Sequence, residues 1–252
     1  TKRLQELVDS DNIAAEMTEQ ELSDLGKKVC TEYGIDERSN ADWLKTAKAA
    51  LEVALQVPKA KNYPFPDASN VKWPLVTVAA LQFNARAYPA IVDGDSIVKA
   101  KVVGADPDGE KRQKAERISR HMSYQLTDEM EEWEEDTDTL LMQLPIVGTG
   151  FRKCYNDRVL ERNKSEMIAG TDLIVNRTTR SLDSAPRITH RIWKNPLEIQ
   201  ERLLAGLWQK EFDPGKTPVS EGESDDDAAH EFLEQHRYID LDKDGYREPY
   251  IV

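Results

Sequence analysis

Residues 131–157 read EEWEEDTDTLLMQLPIVGTGFRKCYND, and their pattern changes in the middle. Up to Leu144 the apolar residues recur every three or four positions, which is the spacing of an amphipathic helix. Pro145 and the glycines of PIVGTG interrupt that spacing, and FRKCYND, residues 151–157, has the composition of a β-strand. The stretch therefore predicts a helix that leads directly into a strand, as in an α+β fold.

The helical pattern also continues upstream of this stretch. Ile118, Met122, Leu126 and Met130 repeat the same spacing back toward the turn GADPDGE. The whole of 110–144 is therefore predicted to be one long helix of about 50 Å, at about 1.5 Å per residue.

Two further helical regions are predicted nearer the N-terminus. Residues 1–57 place apolar residues at helical spacings, with Gly34 and Pro58 as stops, so we expect residues 1–65 to form a helical arm. The most apolar segment of the chain follows, and it predicts a buried helix over about 74–87. A short run of β-branched residues within it leaves a strand as the alternative.

The remaining segments predict a small antiparallel sheet. SIVKAKVVG, residues 96–104, alternates weakly, whereas DLIVNRTTR (172–180) and RITHRIW (187–193) have the composition of strands. The chain closes on YIDLDKDGYREPYIV, residues 238–252, in which two strand-like arms flank an Asp-Gly turn. Residues 236–252 are therefore predicted to form a hairpin.

One helix start and one loop are predicted after these strands. Asn195 as N-cap, Pro196 in the first turn and Glu198 at the third position form a capping-box pattern. Residues 213–229 are acidic and rich in Gly, Pro and Ser, so we expect a mobile loop there. Residues 66–252 as a whole are expected to form a single α+β domain.

Composition limits the partners of the chain. Its 252 residues include 47 Asp and Glu against 34 Lys and Arg, a net charge of −13, which disfavours a surface that binds phosphates. Its two cysteines, Cys30 and Cys154, lie far apart and predict neither a zinc site nor a disulfide framework. The missing initiator Met and the end within a strand-like PYIV lead us to expect a fragment of a longer chain.

Sequence motifs of catalysis are absent. The histidines form no H-x-x-x-H pair, and no G-x-S-x-G, Walker or dinucleotide pattern occurs. VGTG at 147–150 lacks the lysine and the helix that a phosphate loop needs. We therefore expect a protein that is not an enzyme, with no catalytic residues, and rank a hydrolase that uses the acids of 128–138 well below other functions.

The segment 128–138, DEMEEWEEDTD, carries eight carboxylates in 11 residues. Like charges four residues apart destabilise a helix by a few tenths of a kcal/mol, at about 0.2–0.5 per pair, so helix propensity alone does not favour this density. The segment is either a solvated face around a buried Met130 and Trp133 or a negatively charged wall toward a basic partner or passing DNA. Glu131, Glu132 and Glu135 are its candidate interface residues.

Basic residues cluster at two other places. Lys111, Arg112, Lys114, Arg117 and Arg120 open the predicted long helix, whereas Arg177, Arg180, Arg187 and Arg191 lie on or near the strands that follow. These side chains either pair with acids of a neighbouring subunit or are solvated. The candidate interface residues among them are Arg117, Arg120, Arg187 and Arg191.

The Asp-Gly turn near the C-terminus has the spacing of a calcium loop. Its oxygen ligands fall at positions 1, 3, 5, 7 and 9, and Gly245 lies at the tight bend. Position 12, however, is Ile251 instead of a bidentate Glu, and both flanks are strand-like, so the EF-hand interpretation fails. What remains is a compact acidic loop in which calcium is a candidate ligand. The candidate metal residues are Asp240, Asp242, Asp244, Tyr246 (through its carbonyl) and Glu248.

The order of three segments resembles a known family. EEWEEDTDTLLMQLPIVGTGFRKCYND, then SAPRITHRIWKNPLEIQERLLAGLWQ (184–209), then YIDLDKDGYREPYIV resemble the N-terminal, wing portion of tailed-bacteriophage portal proteins of short-tailed phages. The similarity covers about 70–252 and rests on the combined order, because no segment is specific alone. Portal proteins continue into clip and stem regions beyond the point where this chain ends.

The resemblance implies a structural role. It implies a homo-oligomeric ring, normally of twelve copies, at the capsid vertex of the virion, assembled in the host cytoplasm. The implied partners are the packaging terminase, scaffold or capsid protein, and tail or head-completion proteins, while double-stranded DNA passes through without sequence-specific binding. No membrane and no required cofactor are expected, apart from the candidate calcium. The alternative is a calcium-dependent binding module that acts through residues 240–248.

Overall fold

The computed structural model describes residues 12–57, 63–66, 69, 72–92, 94, 97–208, 214, 225, 227–240 and 244–252. Over these residues the chain forms helices and two antiparallel sheets, which confirms the α+β class. Most of the expected mobile loop 213–229, as well as Asp242 and residues 1–11, lies outside the described residues.

The helices and strands are numbered here in chain order. The α-helices are α1 (Ile13–Glu16), α2 (Glu19–Ser39), α3 (Ala41–Ala54), α4 (Leu75–Ile91), α5 (Glu110–Tyr124), α6 (Trp133–Val147) and α7 (Pro196–Leu204). A π-helix (Gln125–Glu129) follows α5, and a 3₁₀ turn spans Leu182–Ser184. The strands are β1 (Gly150–Asp157), β2 (Arg162–Ala169), β3 (Leu173–Ile174), β4 (Arg187–Lys194), β5 (His230–Ile239) and β6 (Glu248–Ile251).

The chain divides into two compact units, each described by itself. The terminal unit combines Thr1–Leu44 with Thr171–Val252, and the central unit is Lys45–Gly170. The boundary expected at residue 65 falls within the central unit.

The terminal unit is built on a four-stranded antiparallel sheet of order β3-β4-β5-β6. Thr189 of β4 lies opposite Gln235 of β5, and both side chains are fully buried, together with Ile174 of β3. Helix α2 is tied to this side of the sheet by contacts between its acidic residues and arginines of β4 and β5. A polar layer thus joins helix and sheet.

The helix start expected after β4 is confirmed. Asn195 accepts a hydrogen bond from the Glu198 backbone N–H at 2.9 Å, and the Glu198 carboxylate accepts one from the Asn195 N–H at 3.1 Å. This reciprocal capping satisfies two backbone donors that the first turn leaves open. Beyond α7, the centroid of the Trp208 ring lies 5.0 Å from that of Phe232 on β5. The residues that follow α7 therefore pack against the sheet.

The central unit packs α4 and the β1–β2 hairpin against α6. Trp133 and Leu141 of α6, Ala80 of α4 and Ile168 of β2 are its buried apolar residues nearest this junction. The buried position of Trp133, at 8% exposure, agrees with the helical spacing in the sequence. The strand predicted at FRKCYND is confirmed as β1, whereas its partner β2 was not predicted.

The single long helix predicted over 110–144 is wrong. Met130 leaves helical geometry, with φ −99° and ψ 73°, and its N–H bonds the Gln125 carbonyl at 2.9 Å in a π-type turn. The break frees the Glu129 carbonyl, which accepts from Arg162 Nη1 at 3.0 Å, so a tertiary contact replaces a helical one. The second helix also continues past Pro145 and ends at Gly148, whose φ of 83° suits glycine.

The strand expected at residues 96–104 is also wrong. Its described part, from residue 97, is irregular, and its alternate backbone donors bond serine hydroxyls of α5 instead of another strand. The Val98 N–H donates to Ser123 Oγ at 3.1 Å and the Ala100 N–H donates to Ser119 Oγ at 2.8 Å. Val98 and Ala100 are two residues apart, and the serines that they contact are one helical turn apart. Every second residue of the segment therefore meets a successive turn of α5, which matches its weak alternation.

Three further expectations are corrected. Gly34 lies inside α2 and does not stop it. The helix predicted at 74–87 exists as α4, which excludes the strand alternative, but it is not buried, since Ala80 is its one buried residue. In 172–180 the strand ends at Ile174, because the Asn176 side chain accepts from the Thr178 N–H at 3.1 Å and forms a turn.

Candidate metal loop and interface surfaces

The candidate calcium loop joins β5 to β6. Ile239 lies opposite Glu248 in the antiparallel register, so the loop begins at Asp240. Asp240 Oδ2 accepts from the Gly245 N–H at 3.1 Å, and Gly245 has a φ of 96°, which requires glycine at the bend. Asp244 Oδ1 accepts from the Tyr246 N–H at 2.6 Å. The carboxylates therefore stabilise the turn through backbone contacts.

Two oxygen atoms of this loop have no hydrogen-bond partner within the part of the chain that the structure describes. They are Asp240 Oδ1 and Glu248 Oε2, and both atoms are buried. A buried carboxylate oxygen without a partner costs about 1–3 kcal/mol or more, so a cation would relieve both. Among the described residues no group of three His, Cys, Asp or Glu side chains converges on one point. With Asp242 outside those residues, the donor set fits calcium only in part.

Several carboxylates of the acidic segment contact groups of the central unit. Asn84 donates to Asp138 at 2.6 Å, and the Tyr88 hydroxyl donates to Glu134, so α4 and α6 are linked by polar contacts one turn apart. The hydrogen bond to Glu134 raises the pKa of Tyr88 to about 12. Asp136 Oδ2 accepts from the Met167 N–H of β2 at 2.7 Å. Some of the carboxylates in 128–138 therefore stabilise the packing of the central unit.

The three predicted acidic interface residues differ in their surroundings. Glu132 forms an ion pair with Lys164 Nζ at 3.0 Å. Glu131 and Glu135 are exposed, and neither forms a hydrogen bond or ion pair with any described residue. Of these three residues, Glu131 and Glu135 therefore have carboxylates that no described cation pairs with.

The basic residues at the start of α5 are exposed. The Asp106 carboxylate accepts from the backbone N–H groups of Lys111 and Arg112, at 3.1 and 2.9 Å, and so caps the helix in place of Gly109. Arg117 and Arg120 are exposed and, within the described residues, have no acidic partner. They remain available as interface residues.

Arg187, in contrast, is paired within its own chain. Its Nε and Nη2 donate to Asp36 Oδ2 and Oδ1 at 2.7 and 2.8 Å, and Asp36 is fully buried. Asn176 Nδ2 also donates to Asp36 Oδ1 at 2.8 Å, which completes the carboxylate's environment. The hydrogen bond to Asp36 raises the pKa of the Arg187 guanidinium.

Two neighbouring arginines of the sheet are paired in a similar way. Arg191 Nη2 donates to Asp172 Oδ1 at 2.8 Å, and Arg237 Nη1 donates to Glu32 Oε2 at 2.6 Å. Sequence patterns did not reveal Asp36 or Glu32 as partners, although their spacing of four residues places them on one face of α2. Arg187 and Arg191 therefore support the fold of the terminal unit.

Comparison with known protein families and with curated proteins finds no match to this chain. No helix within the described residues is both long enough and apolar enough to cross a membrane.

Proposed function

We propose that this chain is a structural, non-enzymatic subunit of a bacteriophage portal ring at the capsid vertex. Such a ring is a conduit for DNA packaging and ejection and an attachment point for tail or head-completion proteins. The order of the segments supports this proposal: a helical stretch over Glu110–Val147, the β1–β2 hairpin, and then the four-stranded sheet whose last hairpin encloses the acidic loop.

The exposure of α5 is the observation that carries the proposal. Only Ser123 of this 15-residue helix is buried, because residues 97–103 cover just the stripe that carries Ser119 and Ser123. Helices of this length are marginal in water and gain most of their stability from packing. Ile118 and Met122 are also exposed, so a second surface packed against α5 would stabilise it.

Helix α4 points to association in the same unit. Leu75, Leu81 and Phe83 of α4 are exposed, and Trp73, just before the helix, is 80% exposed. Extended apolar surfaces of this kind are typical of protein–protein contacts. A subunit that forms contacts on more than one side fits a ring.

Assembly is tested by light scattering of the purified protein after size-exclusion chromatography. We expect a mass that is a multiple of the 28.7 kDa chain and that persists on dilution. A single-chain mass at every concentration, with and without calcium, would contradict assembly by this chain.

Calcium binding is a second candidate function, favoured by the two buried oxygens at Asp240 and Glu248 that lack a partner. A calcium ion would supply positive charge to oxygen ligands of the type that it prefers. In this alternative the chain is a calcium-dependent binding module whose hairpin tip is stabilised by the ion.

Calcium binding predicts a shift in melting temperature. At about 100 times its dissociation constant, a ligand that binds only the folded state stabilises it by about 2.7 kcal/mol. For a chain of this size that corresponds to a rise of about 5–11 °C, at about 2–4 °C per kcal/mol. Glu248→Gln and Asp240→Asn are expected to reduce the rise, whereas Asp183→Asn, at an exposed position in the 3₁₀ turn, keeps it. No rise in the unmodified protein, or equal rises in all variants, would exclude the site.

A further inference from the structure

Two groups of opposite charge lie on the helical stretch of the central unit, and the part of the chain that the structure describes offers them no partner. Lys114, Arg117 and Arg120 are three residues apart on α5, which places them along one side of the helix. All three are exposed, as are Glu131 and Glu135 farther along the stretch. Among the described residues, none of these five side chains forms a hydrogen bond or ion pair. We call the first three the basic patch and the two glutamates the acidic patch.

The acidic patch comprises the exposed carboxylates of its segment that contact no described residue; Asp128 accepts from the Thr127 hydroxyl, and Glu129 is half-buried. Glu132, Glu134, Asp136 and Asp138 contact Lys164, Tyr88, Met167 and Asn84, respectively. The residual charge lies on side chains that project into solvent. The basic patch is likewise not used by the fold, since the capping of α5 and its cover by residues 97–103 involve other residues.

We infer that the basic patch of one copy of this chain docks against the acidic patch of a second copy. Copies that each carry a net charge of −13 repel one another, so association needs a local region of complementary charge. The basic patch is such a region, and the acidic patch is its complement. The pairing also covers the exposed side of α5.

The contact has a geometric consequence because its two halves are different surfaces. Where the two patches of one copy bind two different neighbours, each pair leaves one patch of each kind open, so further copies add head to tail. The series closes into a ring if the rotation per copy permits, and otherwise forms an open filament. The inference therefore rests on the proposed ring and names the surfaces that join its subunits.

A nucleic acid is the less favoured occupant of the basic patch. The acidic segment follows on the same helical stretch, and its charges act over a screening length of about 10 Å at about 0.1 M salt. Duplex DNA, which carries one charge per about 1.7 Å, would be repelled by that segment and by the net charge of the chain. A second copy is repelled as well, but its acidic patch brings only the charges of Glu131 and Glu135 to the contact, far fewer than a duplex does.

Charge reversal tests the contact in the full chain. One variant carries Arg117→Glu and Arg120→Glu, and the other carries Glu131→Arg and Glu135→Arg. Each variant alone is expected to associate roughly tenfold or more weakly than the unmodified protein, because like charges then face each other. Equal amounts of the two variants mixed together are expected to associate again, and so is a chain that carries all four changes.

The control and the outcomes separate this inference from the ring proposal. Arg177→Glu with Arg180→Glu makes the net charge more negative by the same amount as Arg117→Glu with Arg120→Glu, but at exposed positions of the terminal unit, and is expected to leave association unchanged. Rings that form equally well in every variant would overturn the inference but not the ring. Pairs or filaments that form only when charges are complementary would support the contact and contradict the ring. Two further results would overturn the contact. One is a single-chain mass under all conditions. The other is that reversing the basic patch abolishes binding of duplex DNA and changes nothing else.

Discussion

Replacing Asp36 with alanine is expected to lower the free energy of unfolding by about 3–5 kcal/mol, the cost of breaking a buried ion pair by removing one partner. Asp36 is fully buried and accepts two hydrogen bonds from Arg187 and one from Asn176. Without it, Glu32, at 4.0 Å, is the one acid among the described residues that stays near the Arg187 guanidinium. Urea denaturation followed by far-ultraviolet circular dichroism measures the change.

Two further variants establish that the unpaired charge is the cause. Asp36→Leu combined with Arg187→Met removes both charges and is expected to cost less than Asp36→Ala alone, because apolar replacement of a whole buried pair is often neutral. Asp183→Ala removes an exposed carboxylate and is expected to stay within about 0.5 kcal/mol of the unmodified protein. A stability for Asp36→Ala as high as that for Asp183→Ala would show that the buried pair does not form.

Replacing Trp133 with alanine is expected to cost about 3–5 kcal/mol, as large-to-small changes of buried aromatic residues do. The Trp133 side chain is buried at the start of α6, directly after the break in the helical stretch. The guanidinium of Arg152 on β1 lies 5.5 Å from its ring centroid, so the indole also holds the hairpin against the helix. The truncation leaves a cavity and removes this contact.

Leu204→Ala is the control, because it truncates a large apolar side chain that is 80% exposed and lies in no surface proposed for association. We expect its effect on unfolding to be within about 0.5 kcal/mol. Differential scanning calorimetry of both variants provides the comparison. An unchanged melting temperature for Trp133→Ala would mean that its indole faces solvent or a partner.

Local signals in the sequence predicted much of the fold. The capping box of Asn195 and Glu198 needs only four consecutive residues, and the structure contains it. Strands β1 and β4 were recognisable because their composition differs sharply from the flanking turns. The burial of Trp133 followed from helical spacing, which persists on both sides of the break at Met130.

Contacts between distant segments were beyond such patterns. Arg162 binds the Glu129 carbonyl at the helix break, and Ser119 and Ser123 accept backbone donors from residues 97–103, yet neither contact leaves a periodic trace. Strand β2 was missed because its polar residues, RNKSEMIA, resemble a turn until they are paired with β1. Chain topology, not local propensity, decides these features.

In the candidate sites, too, local sequence predicted some features, whereas others depend on contacts between distant segments. Ligand spacing alone identified the acidic loop, but not that Asp240 and Glu248 each keep an oxygen without a partner among the described residues. Sequence reasoning treated Arg187 as exposed at an interface or solvated, whereas Asp36, 151 residues away in the chain, pairs with it. Charge counts cannot separate a buried pair from two exposed ions, because that distinction depends on the fold.

Electron microscopy of the unmodified protein in negative stain tests the central proposal most directly, because a ring has a shape that no other assembly shares. We expect closed rings with a central hole, built from copies of the 28.7 kDa chain. A uniform field of particles no larger than one chain, at concentrations where the protein remains folded, would contradict the proposal that this chain is a portal-ring subunit.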